Sequence, residues 1–315
     1  MTGSLPAFLA RRLALLAFTL VLVPSLSFVM FTVIQGDHTA PLDVAEELLS
    51  YLAAVFLQGD LGDDNFRTDT FIRTRGALEV VKDGFLVDLY LLVGAIGFAV
   101  LAGLVAGVLQ ATHPRSAVSR AITVLTALAL ASPVYFVGLM LLLLFAPGSG
   151  AVAEVPFLSG VAAYRAPSAD LGAFVHHIWM PCVVIGAPLA AACARMTSAQ
   201  LSTALQEDFV RTARAKGVRE RRVVRRHALA ASVAPVIALI GVNMNLTLVN
   251  LALIEAVFNI PGSFRYIERA LVNRDVDLVQ ALVVEATLFI VVANFLCDAI
   301  QGWLDPRVRH GEALR

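Results

Sequence analysis

The sequence predicts an all-α integral membrane protein with six transmembrane helices. Of its 315 residues, 58% are hydrophobic and only 15% are charged, and the mean hydropathy is +0.79. A soluble domain carries roughly 25% charged residues, so this composition excludes an ordinary soluble protein. Long apolar runs also recur along the chain, and a run of about 20 residues is long enough to cross a bilayer as a helix.

The first apolar run extends from Leu13 to Ile34 and follows Arg11 and Arg12. A secretory signal peptide has a similar order of basic and apolar residues, but its apolar core is only about 7–15 residues long. The run is longer than that, and no small-residue cleavage site follows it. We therefore interpret it as the first transmembrane helix.

Five further apolar runs complete the predicted topology. The six predicted spans cover residues 13–34, 85–109, 121–145, 179–196, 228–258 and 278–304. Ser132-Pro133 predicts a kink in the third span, and Pro181 and Pro188 predict breaks in the fourth, because proline lacks an N–H and clashes with the preceding turn.

Small residues recur along the second span at every fourth position. They are Ala95, Ala99, Gly103 and Gly107. Such a row allows the backbone of another helix to approach closely, so it predicts a packed helix interface. Cys182, Cys193 and Cys297 also lie in apolar spans, and we interpret them as packing residues.

The distribution of basic residues predicts the orientation. With both termini in the cytoplasm, 15 Arg or Lys residues lie on the cytoplasmic side and eight lie outside. The opposite orientation reverses this ratio, and Lys and Arg are enriched in cytoplasmic loops. The formal net charge of the whole chain is zero, which argues against a nucleic-acid partner.

The most polar segment between two spans runs from Glu207 to Leu229. It carries eight Arg or Lys residues and three Asp or Glu residues. Its first part predicts a short amphipathic helix with Phe209, Val210 and Ala213 as apolar residues. Gly217 suits the end of that helix, where a positive φ is often required. One interpretation is a positively charged membrane anchor with no further role; the other is a docking element for a partner.

A family resemblance favours the second interpretation. Asp208 to Gly217 reads DFVRTARAKG, and Arg225-Arg226-His227-Ala228-Leu229 follows. These residues resemble the cytoplasmic loop of ATP-binding-cassette (ABC) importer permeases of the oligopeptide, dipeptide and nickel branch. Only Ala213 and Gly217 match the general Glu-Ala-Ala loop pattern of all such permeases, whereas the branch form matches throughout. The segments Glu255-Ala256-Val257-Phe258 and Asp305-Pro306-Arg307-Val308-Arg309 also resemble the branch.

The resemblance implies an inner-membrane permease subunit that couples to separate ATPase subunits. The implied coupling residues are Asp208, Phe209, Val210, Arg211, Thr212, Ala213, Arg214, Ala215, Lys216 and Gly217. A second permease subunit, homologous or identical, and an extracytoplasmic substrate-binding protein are further implied partners. No Walker A pattern is present, so ATP hydrolysis is expected on the partner subunits. We expect no catalytic residues, metal or cofactor in this chain.

This interpretation divides the chain into three parts. Residues 1–35 hold the N-terminal end and the first span, and residues 36–84 form an extracytoplasmic loop. Residues 85–315 form the core permease domain with spans two to six. We name residues 207–227 of that domain the basic loop.

Polar residues inside the last two spans are candidates for lining a transport pathway. Asn243, Thr247 and Asn250 form one stripe on span five, which either lines a water-filled path or hydrogen-bonds a neighbouring helix. Glu255 lies near the outer end of that span. Glu285 lies deeper in span six, and either faces the path or pairs with another polar group. Carboxylates inside a membrane are costly and usually functional.

Two other classes of protein fit part of this pattern. A secondary transporter or channel also has several spans, but paired ion-coupling carboxylates and an internal repeat are typical of that class, and no repeat is visible. A membrane scaffold needs no polar stripe inside a span. The sequence leaves the substrate open among peptides, nickel and other small solutes.

Overall fold

The computed structural model describes residues 5–35, 41–61, 66–67, 74–145, 164–224 and 229–304. Most of these residues are helical. The helices are α1 (Leu5–Gln35), α2 (Pro41–Ala53), α3 (Ala77–Thr112), α4 (Ala117–Ala131), α5 (Val134–Phe145), α6 (Leu171–Ala204), α7 (Asp208–Ala215), α8 (Glu220–Arg222), α9 (Leu229–Phe258), α10 (Ile267–Asn273) and α11 (Val276–Leu304). A π-helical turn (Ala54–Gln58) follows α2, and a 3₁₀ turn (Phe264–Tyr266) precedes α10. Two-residue strands β1 (Phe66–Arg67) and β2 (Thr74–Arg75) pair antiparallel.

Five of the described helices are long and apolar enough to cross a membrane. They are α1, α3, α6, α9 and α11, and α4 with α5 makes a sixth candidate if that bent pair is one span. The all-α membrane fold is therefore confirmed. The terminal segment Asp305 to Arg309 lies outside the described residues.

The third predicted span is not a single kinked helix. The helix axis bends by 111° between α4 and α5, at Ser132-Pro133. Ser132 has φ −89° and ψ 135°, an extended conformation. The residue before a proline is driven out of the helical region by the proline ring, and Pro133 has no N–H to continue the ladder. The chain therefore turns sharply where the sequence predicted a kink.

The fourth predicted span is longer than expected, and its two prolines do not break it. Helix α6 runs from Leu171 to Ala204 through Pro181 and Pro188. It is the most buried of the candidate spans, and α4, α5 and α9 pack against it. Packing on several sides holds a helix together even where proline removes one backbone hydrogen bond. The predicted break at these prolines is wrong.

The described chain divides into two compact units. The first comprises residues 1–89 and 261–296, and the second comprises residues 90–260 and 297–315. In the first unit, α2 packs on α1, where the rings of Phe28 and Tyr51 stack with centroids 5.0 Å apart. Burial, and secondarily the nearby Asp277, raises the pKa of Tyr51 to about 12, so this side chain stays neutral at physiological pH.

Within the second unit, the part of α3 from residue 90 onward packs closely on α6. A Cβ atom at Gly103 would lie 2.5 Å from Cys193 Cβ, and one at Gly107 would lie 2.5 Å from Thr197 Cβ. Neither distance leaves room for a side chain. The row of small residues on α3 therefore forms the predicted close helix interface. The three cysteines are buried, as expected of packing residues.

Candidate functional site

Helix α7 begins the basic loop with charges that suit its dipole. Glu207 precedes it with an extended backbone, and Asp208 lies in the first turn. Arg214 lies in the last turn. Acidic residues near a helix N-terminus and basic residues near its C-terminus are stabilising. The structure thus confirms the short helix that the sequence predicted here.

The end of α7 is set by Gly217. This glycine has φ +75°, and its N–H donates to the Arg214 carbonyl at 2.9 Å. The Val218 N–H donates to the Ala213 carbonyl at 3.2 Å. This pair of bonds is the Schellman arrangement, in which a residue with a left-handed conformation closes a helix. The predicted positive φ at Gly217 is confirmed.

An ion pair spans this turn from α7 to α8. Arg214 Nη2 lies 2.7 Å from Glu220 Oε1, and Arg214 Nε donates to Oε2 at 3.1 Å. The hydrogen bond from Arg214 lowers the pKa of Glu220 below its ordinary value. The resulting stabilisation is present above the ordinary Glu pKa and is lost as the pH falls through the lowered value. Both side chains are largely exposed, so the pair is worth only roughly 0–1 kcal/mol.

The apolar residues of α7 point in different directions. Val210 is 0% exposed, whereas the neighbouring Phe209 is 47% exposed. Ala213, one turn after Phe209, is half-buried. Val210 therefore anchors α7 to its own unit, and Phe209 with Ala213 forms a partly exposed apolar strip, which we name the α7 strip.

After Gly217, the described part of the basic loop contains one short helix, α8. Helix α8 is one turn long, and Val223 and Val224 after it are buried. Val224 belongs to a small core with Leu201 and Ala204 of α6. Residues 225–228, with Arg225, Arg226 and His227, lie outside the described residues.

The polar stripe on α9 makes hydrogen bonds mainly within its own helix. Asn243 Nδ2 donates to the Leu239 carbonyl at 2.8 Å, and Thr247 Oγ1 donates to the Asn243 carbonyl at 3.0 Å. Asn243 is half-buried, while Thr247 and Asn250 are buried. These two bonds lie within α9, and the role of the stripe in lining a path stays a prediction.

Glu255 lies at the end of α9 with 0% of its surface exposed. Its carbonyl accepts a hydrogen bond from the Ile260 N–H at 2.9 Å, and Asn259 between them has φ +50°. This arrangement closes α9 as Gly217 closes α7. With none of its surface exposed, the Glu255 side chain lies inside the unit.

Glu285 belongs to a buried polar cluster in the first unit. It is 2% exposed, and its Oε1 lies 3.4 Å from Ser263 Oγ. Ser263 also donates its N–H to Asp88, so both carboxyl groups bind the same residue. Glu285 thus contacts a polar residue inside the unit, and its part in a transport pathway stays a prediction. Sequence reasoning missed Asp88, although a carboxylate inside a predicted span was a signal that could have identified it.

Comparison with known protein families decides the identity. A family model described as "Binding-protein-dependent transport system inner membrane component" matches residues 99–310, which is more than half of the chain. The chain belongs to this family. The resemblance seen in the basic loop is thereby confirmed.

Curated relatives match the permease over nearly its whole length. The di/tripeptide transport system permease protein DppB of Pseudomonas aeruginosa is 30% identical over 96% of this chain and 99% of its own. The dipeptide transport system permease protein DppB of Escherichia coli K12 is 29% identical over 96% of this chain and 98% of its own. The glutathione transport system permease protein GsiC of Pectobacterium atrosepticum is 30% identical over 81% of this chain and 76% of its own.

These findings define the role of the chain. It is a multi-pass inner-membrane permease subunit of an ABC importer, in the peptide branch. It is a transport component rather than an enzyme, because ATP is hydrolysed by partner ATPases in such systems. Family membership also implies a substrate-binding partner protein.

Proposed function

We propose that this permease imports short peptides and that the α7 strip is the surface contacted by its ATPase subunit. The observation that carries the coupling proposal is the geometry of α7. Val210 anchors the helix, while Phe209 stands 47% exposed beside it. A large exposed aromatic residue on a short, closed helix is typical of a docking contact, because it offers apolar area at low cost in side-chain entropy.

A firm attachment of α7 makes it suitable for transmitting movement. The helix is closed by the Schellman bonds at Gly217 and connected to α8 by Arg214 and Glu220. The buried Val223 and Val224 then hold the following segment. When an ATPase subunit moves α7, the displacement would pass into α6, because Val224 packs on Leu201 and Ala204 of that helix.

The translocation path is proposed to form between this permease and a second permease subunit. Asn243 is the candidate with partial exposure in the single chain. The other candidates, Thr247, Asn250, Glu255 and Glu285, are buried here and would act in this conformation by supporting the helices around the path.

Peptides are favoured as substrates by the names of the relatives. Those names specify di- and tripeptides, dipeptides and glutathione. Full-length coverage supports a similar size class of solute for this chain. A substrate-binding protein would present the peptide at the extracytoplasmic side.

Reconstituted uptake tests this proposal. Proteoliposomes holding the permease, its partner permease and the ATPase subunits are supplied with a binding protein loaded with radiolabelled dipeptide. We expect uptake to require both ATP and the ATPase subunits. Uptake that is driven by an ion gradient in their absence would instead identify a secondary transporter.

The proposed orientation places both termini and the basic loop in the cytoplasm, with residues 36–84 outside. It is supported by the 15 basic residues on one side against eight on the other. Ser168→Cys is expected to react with an impermeant thiol reagent in intact cells, and Arg221→Cys only after the membrane is permeabilised. Both positions are exposed, and the native cysteines are buried and give low background. Labelling of position 221 in intact cells would refute this orientation.

A further inference from the structure

The turn at Pro261-Gly262-Ser263 is held against α3 without an intervening side chain. At Gly84 of α3, a Cβ atom would overlap both the backbone nitrogen and the hydroxyl of Ser263. Ser263 is itself fully buried. The turn therefore packs directly on the helix backbone, and only glycine fits at position 84.

One helical turn further along α3, Asp88 binds the same loop. The Ser263 N–H donates to both carboxylate oxygens of Asp88, at 3.0 and 3.2 Å. Asp88 is 0% exposed. A carboxylate that receives a backbone N–H on both oxygens is acting as a hydrogen-bond acceptor. This contact joins residues 175 positions apart in the sequence.

Glu285 of α11 completes the cluster from the opposite side. Its Oε1 accepts a hydrogen bond of 3.4 Å from Ser263 Oγ, so two carboxyl groups that are 0% and 2% exposed meet at one serine. Two carboxyl groups that share a buried site do not readily both ionise, so one of them keeps its proton. Asp88 accepts the Ser263 N–H on both oxygens, whereas Glu285 receives only one longer bond from the hydroxyl, so the proton is assigned to Glu285.

Aromatic rings pack beside this cluster. Phe85 and Phe289 stack with centroids 5.1 Å apart, and the ring of Phe264 lies 6.5 Å from that of Phe289. Phe264 and Phe289 are buried. Asp88 and Glu285 are 0% and 2% exposed, and a hydrogen bond is electrostatically stronger in such buried surroundings.

We propose that Glu285 holds a proton and donates it in a hydrogen bond to Asp88, and that Asp88 in turn holds the Ser263 turn. Asp88 and Glu285 are thus positioning residues that form a clasp among α3, the turn and α11. The turn leads directly into the 3₁₀ turn and α10, so the clasp determines where α10 is presented. Leu271 and Val272 of α10 are exposed apolar residues. The transport readout of this inference rests on the proposed function.

A set of substitutions separates the hydrogen-bond donor role of Glu285 from a requirement for its charge. Glu285→Gln keeps a donor toward Asp88, so uptake is expected within about twofold of wild type. Glu285→Leu removes the donor, and Asp88→Asn places a second donor opposite Glu285. Each substitution leaves a buried polar group without a suitable hydrogen-bond partner. Each is therefore expected to lower uptake by about tenfold or more. The clasp is refuted if Glu285→Gln is as damaging as Glu285→Leu, or if the leucine variant transports normally.

An infrared spectrum of the purified permease tests the proton without any transport assay. The wild-type protein at neutral pH should show a protonated-carboxyl band that disappears in Glu285→Gln. The matched control is Glu79→Gln, which removes a carboxylate from an exposed position on α3 and should leave that band unchanged. An unchanged band in Glu285→Gln would overturn the proposal even if the leucine variant fails to fold. Conversely, loss of the band together with absence of peptide uptake by the wild-type system would refute the proposed substrate and leave the clasp intact.

Discussion

Ala213→Glu and Gly217→Val are each expected to abolish co-purification of the permease with its ATPase while leaving membrane insertion near normal. Ala213 is half-buried on the α7 strip one turn from Phe209, so a glutamate there introduces an unpaired charge into an apolar contact. Such a charge is strongly destabilising where it cannot reach water. Insertion depends on the basic residues, which neither substitution removes.

The two substitutions act through different physical effects, and each has a matched control. Nothing lies within 4 Å of a Cβ at Gly217, so valine there is strained by the φ of +75° alone. Left-handed conformations cost an L-residue roughly 1–2 kcal/mol. Asparagine tolerates this region, so Gly217→Asn should retain most binding. Ala215→Glu changes an exposed position of α7 outside the strip and should also retain most binding to the ATPase. Equal loss in the controls would show that α7 is merely sensitive to any change.

A leucine at Gly103 is expected to prevent stable folding of the permease. The Cβ atom alone would lie 2.5 Å from Cys193 Cβ and 2.9 Å from the Ala190 carbonyl oxygen, so α3 and α6 must separate to admit it. Overpacking of this kind costs about 3 kcal/mol or more where backbone blocks the way. The measurement is the amount and melting temperature of monodisperse protein after detergent extraction.

The matched control for this prediction lies on the same helix. A Cβ atom at Gly97 would have no other atom within 4 Å, and this glycine is exposed. Gly97→Leu should therefore extract and melt like the wild-type protein. If Gly103→Leu behaves in the same way, α3 and α6 do not pack as closely as these distances require.

The elements that the sequence predicted well are those with local causes. Apolar runs identify helices because a membrane span must be apolar along its own length. Helix α7 and its stop at Gly217 follow from charges and a glycine within ten residues. The small residues of α3 likewise indicate a close neighbour, although they do not say that α6 is the neighbour.

The errors concern features that depend on distant parts of the chain. Pro133 ends a helix, whereas Pro181 and Pro188 lie inside one, and the three residues are chemically identical. The difference lies in the packing around α6, which no local pattern encodes. The contact between Asp88 and Ser263 could not be predicted for the same reason, since the two residues meet only in the folded chain. Within α9, Asn243 and Thr247 bond to their own backbone, and the pathway role of the stripe stays a prediction.

The most direct test of the central claim is ATP-driven dipeptide uptake by the Ala213→Glu permease. Wild type, Ala213→Glu and Ala215→Glu are compared in proteoliposomes with the same ATPase subunits and loaded binding protein, at equal permease content. We predict that uptake is lost in Ala213→Glu and retained in the other two. Normal uptake by Ala213→Glu would contradict coupling through α7 and would leave the basic loop as a membrane anchor only.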